Sequence, residues 1–195
     1  SGSCPAGWQA VRNSQQCVTS WQCGDAGSSL AQISCQPQLA DVGMTVGITF
    51  GCSAGTAVGQ GFNTNGQNSG STQATTTSPG AGINTINFGL TCTNQGVTDS
   101  KQCTVNLNKP SLIFVANPKV LNSGERSSIG WVTAGMQGCI ISSPDDSTFT
   151  NDHANNSRKN GVAETPALTS DSVFVLTCTT LAGGTRTAST TVDVR

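Results

Sequence analysis

Two segments of this chain end in the same way. Asn87–Cys92 reads NFGLTC and Ser172–Cys178 reads SVFVLTC, so Phe, Leu and Cys recur at every second position. Alternation of that kind marks a half-buried strand. The likeness extends upstream, where SCQPQLADVGMTVGITFGC (34–52) aligns with VANPKVLNSGERSSIGWVT (115–133). Pro37 precedes Gly43 as Pro118 precedes Gly124, and Ile48 and Phe50 fall on Ile129 and Trp131. A pattern carried twice predicts two copies of one unit. They are expected at 34–107 and 112–195, with a linker at 108–111 (the start of NKPSL) and a short segment at 1–33 before them. Short alternating runs broken by NSG, AGG and SPGAG predict antiparallel strands in two facing sheets.

Composition narrows the function. Charged residues make up 10% of the chain, against about a quarter in an average soluble domain. A net charge of −1 gives no electrostatic case for nucleic acid or an anionic membrane surface. No apolar run approaches the roughly 20 residues of a membrane span. The start at Ser1, without Met, leads us to expect a signal or longer N-terminal region upstream. Nine cysteines, none spaced Cys-x-x-Cys, and one His, His153, argue against a metal or haem site. They point instead to a disulfide framework in an oxidising, extracellular setting.

The Pro and Gly signature, the strand with a central Trp131, the mid-domain Cys139 and the Phe-x-Leu-Thr-Cys strand before a Gly hairpin resemble bacterial immunoglobulin-like repeats of secreted and cell-surface proteins. The second unit matches over nearly its whole length, the first at both ends around a longer middle. The resemblance implies an all-β chain of two tandem immunoglobulin-like antiparallel β-sandwiches with a short disulfide-held N-terminal segment. One feature departs from antibody domains: Trp131 comes before Cys139, not after it.

On that frame the Leu-Thr-Cys thiols point inward, and Cys52–Cys92 and Cys139–Cys178 are the expected bridges. Cys35 and Cys103, on the first and last strands of the first unit, form a third pair. The second unit has Ala116 and Thr190 at the matching places, so both partners are missing together. The N-terminal segment is too short for its own core, which makes Cys4–Cys17 the first choice for a bridge. Cys23 is then left for an intermolecular bond. A buried free thiol, or another pairing among the three, stands beside that reading.

Other stretches carry weaker signals. Asp145, Asp146, Asp152 and His153 lie in a polar run (142–161) whose spacing fits no EF-hand. A solvated connection is the expectation there, with Asp145, Asp146 and Asp152 as weak cation ligands. Asn155 begins an Asn-Asn-Ser glycosylation sequon. The uncharged run 63–82 reads as a surface excursion, or as an edge strand through Thr75 and Thr77. No Gly-x-Ser-x-Gly elbow or Walker loop occurs, so neither enzyme activity nor a cofactor is expected. The expected role is a structural subunit of a bacterial surface filament, pilus-like fibre or adhesin stalk that associates with further copies. The linker's Pro predicts a stiff connection. The alternative is a binding module for carbohydrate or a partner protein, which needs Trp8 and Trp21 exposed together.

Overall fold

The computed structural model describes residues 8–23, 30–78 and 82–195, and for 8, 9, 22 and 23 the backbone alone. A hairpin opens the chain, β1 (Trp8–Arg12) with β2 (Val18–Cys23). Seven strands follow: β3 (Ala31–Gln36), β4 (Leu39–Asp41), β5 (Thr45–Cys52), β6 (Thr56–Gln60), β7 (Ser69–Thr75), β8 (Thr85–Asn94) and β9 (Val97–Asn108). Then come β10 (Ser111–Asn117), β11 (Val120–Leu121), β12 (Ser128–Ala134) and β13 (Met136–Ser142). Helix α1 (Ser147–His153), β14 (Gly161–Glu164), β15 (Ser172–Thr180) and β16 (Thr185–Val194) follow, so the described residues are all-β apart from that one short helix.

Strand order repeats. β3-β5-β7 form one sheet and β4-β9-β8-β6 another, and β10-β12-β14 and β11-β16-β15-β13 reproduce that order strand for strand. In each half a short strand joins the last long strand in parallel, β4 on β9 and β11 on β16. The Pro and Gly signature explains the crossing. Pro37 lies between β3 and β4, and Pro118 between β10 and β11, each after a cis peptide bond. Proline has no N–H for a ladder, so the first strand stops there. Gly43 and Gly124, with φ of 90° and 89°, then make the turn that only glycine adopts without cost.

By compactness the chain divides into two units that are not consecutive segments. One comprises Ser1–Cys35, Gly47–Gln73 and Asn87–Cys103, and the other Gln36–Val46, Ala74–Ile86 and Thr104–Arg195. In the first, Phe50 from β5 packs with Leu90 and Cys92 from β8. In the second, Ile129 and Trp131 from β12 meet Ile141, Phe174, Leu176 and Val192 from the facing sheet. Burying each such side chain contributes about 1.5–3 kcal/mol.

One expectation is corrected, and of the two readings offered for another run the structure takes the edge strand. The run 142–161 is not simply a solvated connection, because it contains α1. Asp146 caps the helix by accepting from Phe149 N at 2.9 Å. That places the buried Phe149 ring edge-on to Phe174, 5.1 Å between centroids. The run 63–82 supplies β7, an edge strand of its sheet. Beyond it Thr76 is buried, its hydroxyl donating to Asp41 O (2.9 Å) and Met44 O (3.0 Å). Residues 79–81 of that run lie outside the described residues.

Candidate functional site

The cysteines divide by geometry. Disulfides join Cys35 to Cys103, Cys52 to Cys92 and Cys139 to Cys178, closing separations of 68, 40 and 39 residues. The last two look equivalent in sequence but not in space. Cys52 ends β5 in one sheet and Cys92 sits on β8 in the other, so that bridge crosses between sheets. Cys139 on β13 lies directly opposite Cys178 on the neighbouring strand β15, so that bridge stays within one sheet. This is why Trp131, on β12, precedes Cys139. The first half has Ala57 opposite Cys92, at the place that Cys139 occupies in the second.

Cys35–Cys103 ties β3 to β9, again from sheet to sheet. At the matching positions of the second half a groove of about 400 Å³ lies between β10 and β16, lined by Phe114, Val115, Ala116, Lys119 and Thr190.

Cys17 departs from expectation, since its thiol is free and exposed. The local sequence explains it. Asn13 Oδ1 accepts from the amides of Gln15 and Cys17, both at 3.0 Å. Arg12 donates to Gln16 O at 2.7 Å. This turn fixes Cys17 at the closed end of the hairpin, a strand length (about 17 Å) from the open end at Trp8. Cys4 and the side chain of Cys23 lie outside the described residues.

Among the described residues the most deeply buried ionisable group belongs to none of the expected sites. Asp41 is fully buried in the second compact unit. Asn108 Nδ2 donates to its Oδ1 at 2.6 Å, and Thr180 Oγ1 to its Oδ2 at 2.7 Å. Asn108 Nδ2 also donates to Gly135 O at 2.9 Å, and Gly184 N to Thr180 Oγ1 at 2.9 Å. The cluster therefore fastens the ends of β4 and β9 to the β15–β16 hairpin and to the turn before β13. Both glycines are needed for it. A Cβ on Gly184 would stand 2.6 Å from Asp41 Oδ2, and one on Gly135 would overlap Asn108 Oδ1.

Two acids of the polar run accept from backbone amides, one of them on β15. Asp145 Oδ2 accepts from Val173 N at 2.7 Å, while Asp146 caps α1. His153 stacks on Phe149 at 4.3 Å, with Nδ1 2.9 Å from Phe149 O. Asp152 and the sequon residue Asn155 are exposed. Among the described residues no three His, Cys, Asp or Glu side chains converge as a cation would need. Of the two tryptophans that the binding reading needs, Trp21 is exposed, and the Trp8 side chain lies outside the described residues. Trp131 is core, its indole N–H donating to Arg158 O at 3.2 Å. No helix of the described residues is long and apolar enough to cross a membrane.

No family model and no curated protein matches the sequence. Solved structures do match. One is the D00-D0 domain of Intimin, at 12% identity and a TM-score of 0.42, covering 85% of this chain and 99% of that one. Another comes from the crystal structure of a mouse coronavirus receptor-binding domain complexed with its murine receptor, at 8% identity and a TM-score of 0.35, covering 85% of this chain and 100% of that one. Likeness at that level fixes neither family nor activity. The strand order and the side-chain geometry of this chain carry the reading.

Proposed function

We propose that the chain is a tandem pair of immunoglobulin-like β-sandwiches with a structural, non-catalytic role in a bacterial extracellular assembly, as a filament, pilus-like fibre or adhesin stalk. The observation that carries the proposal is the Asp41 cluster. It buries a carboxylate between β4 and β9, in the first repeat of the strand order, and the β15–β16 hairpin, in the second. A flexible tether between independent binding domains has no use for a desolvated, fully hydrogen-bonded joint. A part that must transmit tension does. The three disulfides support an oxidising, extracellular location.

The test is single-molecule pulling of the full chain. Asp41→Ala is expected to let the two repeats extend separately at lower force. Cys35→Ala/Cys103→Ala is expected to lengthen the extension of the first repeat. Unchanged force and extension in both variants would remove the structural reading. Recognition of carbohydrate or a partner protein is the second reading, favoured by the exposed Trp21. Glycan-array binding that Trp21→Ala abolishes is its test.

A further inference from the structure

The outer face of the β10-β12-β14 sheet is apolar, where a solvated sheet face normally turns polar. Ile113 (63% exposed), Val115 (53%), Val132 (60%) and Val162 (67%) all stand on it. The register sets Ile113 opposite Val132 and places Val115, Gly130 and Val162 in one row. Nothing lies within 4 Å of where a Cβ on Gly130 would be. The row therefore has a gap at its centre, and its outer valines stand two strand spacings (about 10 Å) apart. Asn117, Ser128 and Glu164 form the next polar row and bound the patch at that end.

We propose that this face is a socket for Trp21 of a second copy of the chain. Trp21, 60% exposed, is the exposed aromatic among the described side chains, and its cross-strand neighbour is the small Ala10. It sits on a two-stranded hairpin, a structure that is marginal in water unless it packs on something. An indole laid over Gly130 is flanked by the four aliphatic side chains, the kind of pocket in which a Trp anchor carries most of the binding. Charge agrees with the fit. Arg12 lies two residues along β1 from Ala10, and Glu164 lies two along β14 from Val162. Both spacings are about 7 Å, so seating the knob brings opposite charges together at the rim.

Knob and socket are different surfaces, so the contact is head-to-tail and can propagate into an open chain of copies. The patch is smaller than the roughly 800 Å² per partner of a stable complex, and the contact needs the high local concentration of an assembling surface. The proposal names the partner within the assembly reading above and rests on that reading for its setting.

The experiment uses the full chain with Cys17→Ser, which removes disulfides through that exposed thiol, and follows sedimentation up to about 1 mM, the weak end of specific association. The Cys17→Ser chain is expected to self-associate. Adding Trp21→Ala or Val132→Arg, both at exposed positions, should weaken that by tenfold or more. Mixing the two variants should nevertheless give a one-to-one dimer, because one keeps the socket and the other the knob. A Cys17→Ser chain monomeric at that concentration overturns the proposal. So does a Trp21→Ala variant that still pairs while Val132→Arg does not, since the face would then be pairing with itself. Electron micrographs separate the two readings. Fibres that survive Trp21→Ala remove this contact and leave the assembly reading standing, whereas a mixed dimer without fibres does the reverse.

Discussion

At the residue scale Asp41 carries the most consequence. Asp41→Ala removes the acceptor for Asn108 and Thr180 and leaves two buried donors without it. The expected loss is about 2–4 kcal/mol, read from the denaturant midpoint. Asp41→Asn keeps one acceptor and should lose less. Nothing in the sequence singles Asp41 out, because its partners lie far away along the chain and an Asp before Val-Gly reads as a turn. The one hint is a carboxylate beside the apolar Leu-Ala of a chain otherwise poor in charge. Glu125 makes a second, smaller statement. Asn122 donates its backbone N–H to Glu125 Oε2 at 2.8 Å, and this bond, with a further one from the Asn122 side chain, lowers the carboxyl below its usual 4.5. The folded state therefore favours the ionised form. The contribution is present above pH 4.5 and fades as pH falls through the lower folded value. An NMR titration of Glu125 should show a midpoint below 4.5 that returns to 4.5 in urea.

At the element scale the helix and the bridges are the informative parts. Phe149→Ala removes the contact between α1 and Phe174 and is expected to cost about 3–5 kcal/mol, whereas Asp146→Ala, which loses only the cap, should cost about 1 kcal/mol. Thermal or denaturant unfolding of the pair tests whether packing rather than capping holds the helix. Its start was readable, since Asp146 stands three residues before an apolar anchor. A single turn or two has no period to detect, so the surrounding polarity masked it. The alternating strands ending in Cys92 and Cys178 were readable because both faces are constrained, one by the core and one by water. Which strand supplied the partner thiol was not readable, because loop lengths of 40 and 39 residues suit a bridge within a sheet as well as one between sheets. Thr133 occupies on β12 the place that Cys52 occupies on β5. Thr133→Cys combined with Cys139→Ala is therefore expected to reroute the Cys178 bridge from sheet to sheet. Mass spectrometric peptide mapping would reveal it, and the chain-entropy contribution should stay near 4 kcal/mol.

At the scale of the whole molecule, the recurring strand order was legible because Pro, Gly and Phe-x-Leu-Thr-Cys recur in sequence order and the strands follow them. The hairpin's pairing was not, since the Asn13 turn, set by side-chain to backbone bonds, decides that Cys17 faces solvent. Iodoacetamide applied without denaturant should label Cys17 while Cys52, Cys92, Cys139 and Cys178 stay blocked. A Cys17 resistant to labelling until the chain is reduced would show it bonded in solution. The two placements of the central bridge have a consequence for aligning such halves. Anyone aligning relatives of these halves on their paired cysteines would lay β5 over β13 and slip the comparison by a whole strand. The trustworthy anchor is the second thiol of each pair, with the Phe and Leu before it. The first thiol sits on a different strand in each half, on β5 in one and β13 in the other, so it is a poor guide to equivalent positions.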